Sequence, residues 1–199
     1  MRWIVFDYGE VISRRPTTIA DLAIIVDADR EAFESAYWDL RRDYDRGWRS
    51  TDYWRSVSTR SGGKEPTESE VAALTDADVD GWLATDSASV ELINDLVADG
   101  HPLALLSNAP VDLGDAIRRQ PWAKHFEHIL ISAEYGVAKP DEQIWTTLVE
   151  RLAAEPADCL FLDDRQVNVD AAIEVGIQAH RWTGAAAARE VIDDFLARR

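Results

Sequence analysis

A chain of 199 residues is long enough for one sizeable core, or for a core plus a small insert. Hydrophobic residues make up 46%, which marks a globular chain and excludes a disordered one. The formal net charge of -16 argues against nucleic acid and anionic membrane as partners, because both reward clustered Lys and Arg.

Arg2-Trp3-Ile4-Val5-Phe6 reads as a buried strand: short, apolar, with β-branched and aromatic residues. It begins directly after Met1, with no charged leader ahead of it, and no run approaches the ~20 apolar residues of a membrane helix. The expectation is therefore a cytoplasmic protein. Asp7-Tyr8-Gly9-Glu10-Val11 follows the strand.

Residues from about 14 to 84 show helical periodicity and almost no strand signal. Ala32, Phe33, Ala36, Tyr37, Leu40 and Tyr44 recur at steps of three and four. Thr51-Asp52-Tyr53-Trp54 starts a further helix, Ser61-Gly62-Gly63 breaks the pattern, and Thr67 to Glu70 reads as a capping box. This is an all-helical insert, expected to span 14–84.

Beyond it, Ser87 is placed to cap a helix through Ala98, with Gly100 as its stop. Strand-like runs then alternate with helical patterns. The strands are Leu103 to Leu106, His128 to Ile131, Cys159 to Leu162 and Gly176 to His180. The helices are Asp112 to Arg119, one opened by Pro140, Val167 to Val175 and Arg189 to Ala197. Such alternation predicts an α/β fold with a doubly wound parallel sheet, formed by 1–13 and 85–199. Cys159 is the only cysteine, so no internal disulfide can form, and its apolar run makes it a buried, inert thiol. His101, His125, His128 and His180 have no metal-ligand spacing.

Four segments stand where apolar runs end: Asp7 with Gly9, Ser107-Asn108, Lys139-Pro140, and Asp163-Asp164. In open α/β sheets the ligand site lies beyond the carboxyl ends of the strands. A carboxylate at Asp7 can attack phosphorus and form an aspartyl phosphate. Two anions resist approach, so a cation must lie between them, and Asp163 and Asp164 supply the hard oxygens that suit Mg²⁺. Ser107 can donate a hydroxyl to a phosphoryl oxygen. Lys139 can stabilise the charge that develops.

These motifs, in this order and with a helical insert after the first, resemble the haloacid dehalogenase-like (HAD) superfamily of hydrolases over essentially the whole length. The resemblance implies Asp7 as nucleophile, Lys139 as charge stabiliser, and Ser107 and Asn108 at the substrate phosphate, with Asn108 orienting the Asp7 carboxylate. It implies Mg²⁺ held by Asp7, the Gly9 carbonyl and Asp164, with Asp163 at one remove. Tyr37-Trp38…Arg41…Tyr44-Asp45-Arg46-Gly47 and Asp163-Asp164-Arg165…Asn168-Val169 look most like the bacterial subgroup that includes glucose-1-phosphate phosphatase. The expected partner is a small phosphorylated metabolite. The oligomeric state is not legible.

One position departs from the wider family. Most of its phosphatases carry a second aspartate two residues after the nucleophile, as general acid; here that residue is Gly9. Losing a general acid typically costs ~10²–10⁴ in rate, less when the leaving oxygen is already a good one, as in an anomeric, acyl or aryl phosphate. Glu10 is the nearest replacement, but neighbours on an extended segment point opposite ways, which favours a structural place for it. In the insert, Arg41 and Tyr44 share a helical face and can reach a substrate. Tyr37, Trp38, Tyr44, Trp48 and Trp54 are expected to form the aromatic core of a small bundle, and Arg165 to pair with Asp163. Two rival readings stay open. One is a 2-haloacid dehalogenase, which needs no metal and leaves the acidic pair without a purpose. The other is a binding protein whose chemistry has decayed at Gly9.

Overall fold

The computed structural model describes residues 1–197. Five strands form one parallel sheet: β1 (Trp3–Phe6), β2 (Leu103–Ser107), β3 (His128–Ile131), β4 (Cys159–Asp163) and β5 (Gln178–Arg181). Their order is β3-β2-β1-β4-β5, so the chain winds outward from β1 in both directions. Three strands are buried along their whole length, which is why they read as unbroken apolar runs. β5 is one of the two edge strands and is partly exposed. It starts two residues later than expected.

Side chains alternate across the sheet, and each face has its own helices. Ile4, Phe6, Leu103 and Leu105 pack with Leu92, Ile93 and Leu96 of α4 (Ser87–Ala98), Leu113 and Ile117 of α5 (Val111–Arg118), and Ile192 and Phe195 of α8 (Ala185–Ala197). Trp3, Val5, Ala104 and Leu106 pack instead with Ile144, Trp145, Leu148 and Leu152 of α6 (Glu142–Leu152) and Ala172 of α7 (Gln166–Glu174). Burying a Leu or Ile side chain in such a layer contributes about 1.5–3 kcal/mol.

Several helix starts differ from expectation: α8 begins at Ala185, four residues before Arg189, and α5 and α7 begin one residue early, at Val111 and Gln166. The cap of α4 is Asp86, whose carboxylate accepts from the Ser89 N–H at 3.0 Å, so Ser87 is already inside the helix. α6 begins at Glu142 behind Asp141, so Pro140 stands outside it.

Between β1 and α4 lie a 3₁₀ segment (Ile19–Val26) and the helices α1 (Arg30–Tyr44), α2 (Ser50–Arg60) and α3 (Glu68–Trp82). The capping box at Thr67 and Glu70 forms as expected. Phe33, Tyr37, Tyr44, Tyr53, Trp54, Val57 and Leu74 make a separate apolar cluster, in which Tyr44 stacks on Tyr53 with centroids 4.1 Å apart. Trp48 is 41% exposed and outside this cluster, because it lies beyond the end of α1, where the helical period no longer directs it inward. The chain leaves and re-enters the sheet layer side by side: Ser13 bridges Thr85 antiparallel, Arg14 N–H donates to Ala84 O at 2.7 Å, and Asp86 N–H to Ile12 O at 2.8 Å.

Candidate active site

Strand register assembles the site. Phe6 lies abreast of Leu162 on one side and Leu105 on the other, so Asp7 and Asp163, each one residue further along, stand side by side at the carboxyl edge. The Asp7 N–H donates to Leu162 O at 2.9 Å, which continues the ladder one step past β1. This is the point where the winding direction reverses, the place at which a doubly wound sheet opens a crevice.

Lys139 bridges the two carboxylates. Its Nζ lies 2.7 Å from Asp7 Oδ1, 2.8 Å from Asp163 Oδ2 and 3.0 Å from the Leu106 carbonyl oxygen. The ammonium is almost wholly buried, with the Phe161 ring 5.1 Å away. Burial works against its charge, yet Asp163 and Asp7 hold its pKa above the usual lysine value. Asp163 is fully buried and accepts from Lys139, from the Arg165 N–H at 2.8 Å, and from the Asn168 amide at 3.0 Å on both oxygens. Desolvation works to raise it, but these donors keep its carboxyl below the ordinary range. Burial pushes Asp7 well up, helped by the charges of Asp163 and Asp164 and opposed by Lys139. Burial, Asp163 and Glu10 push Asp164 up to about 6.

Asp7, Asp163 and Asp164 each offer an oxygen within 4.8 Å of the others. Three carboxylates face one ammonium there, so an excess of negative charge is confined in a partly desolvated space. This donor set fits a hard divalent cation, which takes oxygen ligands.

The crevice opens into a cavity of about 750 Å³, lined among others by Asp7, Gly9, Ser107, Asn108, Lys139, Asp164 and Asn168 from the sheet layer. Arg15, Trp38, Arg41, Asp45 and Trp82 line it from the helical segment. The structure thus brings the sequence-predicted residues to one cavity, apart from Asp163, which lies sealed behind it.

Several expectations are corrected. The Asn108 side chain does not meet Asp7: its Nδ2 donates to Lys139 O and its Oδ1 accepts from Lys139 N–H, both at 2.9 Å. It locks the lysine backbone in place. The segment after Asp7 is a turn, since Tyr8 O accepts from the N–H groups of Ile12 and Ser13 at 2.9 Å and Glu10 adopts a left-handed φ of 56°. The alternation of an extended strand therefore does not apply to Glu10, whose side chain lies 3.9 Å from Arg15 instead. Arg165 reaches Asp163 with its backbone N–H. Arg41 is buried and its charge is committed: it meets Asp45 at 2.9 Å and Asp78 at 3.2 Å, and donates to the Tyr37 hydroxyl. The Tyr44 hydroxyl turns to Asp112, 3.4 Å away. Asp78 went unread in the sequence, although a carboxylate on the same helical face as Val71, Leu74 and Trp82 signals a buried partner.

The fold and this crevice place the chain among α/β enzymes that carry an acidic centre at the switch point of a parallel sheet. A family model for haloacid dehalogenase-like hydrolases matches residues 1–176, and the chain belongs to that family. It is 32% identical over 87 residues to flavin mononucleotide hydrolase 1 of Arabidopsis thaliana, covering 44% of this chain and 36% of that one. It is 24% identical over 149 residues to the GMP/IMP nucleotidase YrfG of Escherichia coli, covering 74% of this chain and 62% of the other. The chain thus spans only part of the length of these relatives. Among solved structures, a HAD family enzyme of Bacteroides thetaiotaomicron in complex with magnesium and inorganic phosphate superposes with a TM-score of 0.67 at 17% identity, over 92% of this chain and 95% of that one. The L-2-haloacid dehalogenase RSc1362 superposes at 0.75 and 17% identity, over 99% of both. At such identities the likeness is one of fold.

Proposed function

We propose that the protein is a Mg²⁺-dependent phosphatase acting on a small phosphorylated metabolite, a sugar phosphate among the candidates, through an aspartyl phosphate on Asp7. The observation that carries this reading is the trio of Asp7, Asp163 and Asp164 around the Lys139 ammonium. Three carboxylates against one ammonium call for a bound cation, and the phosphate-cleaving relatives support the same choice.

Asp7, the Gly9 carbonyl and Asp164 would hold the metal, with Asp163 behind them because protein donors already occupy its oxygens. Bound Mg²⁺ supplies the positive charge that lets a carboxylate approach a phosphoryl group. An Asp7 oxygen attacks phosphorus and the bond to the leaving oxygen breaks. Water then attacks the same phosphorus, the bond to Asp7 breaks, and the carboxylate is restored with release of a proton. Lys139 steadies Asp7 throughout and offsets charge on the phosphoryl oxygens. Ser107 contributes a hydroxyl from the end of β2. Residues 14–84 serve as a cap over the crevice, joined to 1–13 and 85–199 at the antiparallel bridge between Ser13 and Thr85.

The three residues that follow Asp7 supply no acid to the leaving group. Gly9 has no side chain, the Tyr8 hydroxyl donates to Trp82 O at 2.7 Å, and Glu10 turns toward Arg15. Leaving oxygens that depart without a proton are therefore favoured. Phosphate release from p-nitrophenyl phosphate and from a panel of sugar, acyl and nucleotide phosphates tests the reading. Activity should require Mg²⁺, vanish with EDTA and be abolished in Asp7→Asn. A wild type as inactive as the variant across the panel would overturn it.

A further inference from the structure

Gly9 leaves space beside the nucleophile, and an indole faces it: Trp82 Cζ3 lies 3.6 Å from where a Gly9 Cβ would stand. Trp38 meets Trp82 edge-on with ring centroids 6.2 Å apart. The Arg15 guanidinium lies over Trp38, its Cζ 4.8 Å from the ring centroid. Trp82, Trp38 and Arg15 all line the cavity that contains Asp7. A file of side chains therefore leads from the nucleophile loop, across two indoles, to a cation.

Arg15 is weakly neutralised. Glu10 approaches only to 3.9 Å, with the two side chains 55% and 42% exposed, and an exposed pair at that distance is readily displaced by a ligand. The two buried cations lining the cavity are engaged: Arg41 lies between Asp45 and Asp78, and Lys139 serves the carboxylates. Its place over Trp38 restricts the Arg15 side chain at the cavity wall. A flat guanidinium edge suits two-pronged binding of a carboxylate or phosphoryl group. In a chain of net charge -16, a local cation also draws in an anion that the molecule as a whole repels.

We propose that Arg15, laid on Trp38, is a specificity determinant that binds a second anionic group on the leaving group. Preferred substrates are then phosphates whose leaving group carries its own negative charge beyond a planar or apolar stretch. The inference rests on the phosphatase reading.

Its test compares phenyl phosphate, 4-carboxyphenyl phosphate and 1,4-phenylene bisphosphate. Arg15→Gln should raise KM for one or both doubly charged substrates about 10- to 100-fold more than for phenyl phosphate, leaving the relative kcat values in place. Arg15→Lys should recover part of the loss, and Glu10→Gln should move KM the opposite way. A response in the carboxylate arm alone assigns a carboxylate, and one in the bisphosphate arm alone assigns a second phosphate. Calorimetry with 4-hydroxybenzoate on Asp7→Asn, with and without Arg15→Gln, reads the same contact without turnover. Equal KM changes for all three substrates would overturn the role of Arg15, as would 4-hydroxybenzoate binding that Arg15→Gln leaves unchanged after a response confined to the carboxylate arm. If no phosphate is hydrolysed at all, the phosphatase reading falls, and the calorimetry still decides whether Arg15 binds an anion.

Discussion

Lys139→Met removes the one cation shared by two buried carboxylates. The wild-type ammonium lies 2.7 Å from Asp7, 2.8 Å from Asp163 and 3.0 Å from the Leu106 carbonyl. Methionine fills similar space, so packing is largely kept, and what is lost is charge. Breaking a buried ion pair from one side costs about 3–5 kcal/mol, because the remaining charge stays desolvated. For a chain of this size the melting temperature should fall by about 6–20 °C. The sign with pH follows from Asp163. Lys139 helps hold its folded pKa below the unfolded value near 3.9, so that stabilisation is present above this range and is lost as pH falls through the folded pKa. Acidification also lets the raised Asp7 take up its proton, which relieves the variant further. The gap between wild type and Lys139→Met should therefore be widest near neutral pH and close on acidification. Urea unfolding in EDTA at pH 7.5 and at pH 3 measures it. A loss below about 1 kcal/mol at pH 7.5, the level of an exposed pair, or a gap that ignores pH, would refute the reasoning.

Two further outcomes follow from the crevice. Gly9→Asp should fold without steric or backbone strain, since the new Cβ meets only Trp82 Cζ3, at an ordinary 3.6 Å, and Gly9 is not among the glycines with positive φ. If it supplies the missing acid, hydrolysis of an alkyl phosphate should rise about 10–100-fold relative to an aryl phosphate, and an unchanged ratio would count against a vacant acid position. Because Asp164 takes up a proton near pH 6 in the metal-free protein, Mg²⁺ must displace that proton. Apparent Mg²⁺ affinity should weaken by up to about tenfold per pH unit below 6, with proton uptake or release visible when calorimetry is repeated in buffers of different ionisation heat. An affinity flat from pH 5 to 7.5 would sink this account.

Much of the architecture was open to local reading. Trp3 to Phe6 and Cys159 to Leu162 are apolar throughout because both faces of their strands are covered, and the acids that follow stand where the apolar runs stop. The Thr67–Glu70 capping box is a contact across three residues, so its pattern and its structure coincide. Local chemistry of this kind needs no knowledge of distant neighbours.

What the sequence alone determined, then, was the kind of each element and the residues at its end. Only the tertiary structure decided which ends meet. Strand register set Asp7 beside Asp163 and let a lysine from a distant loop bridge them. The same assembly turned Asn108 to the Lys139 backbone, committed Arg41 to Asp45 and Asp78, and set Trp82 beside the space left by Gly9. The physical reason is one of range. Periodicity and capping are properties of adjacent residues, whereas the partner of a buried charge is chosen by desolvation, which depends on everything folded around it.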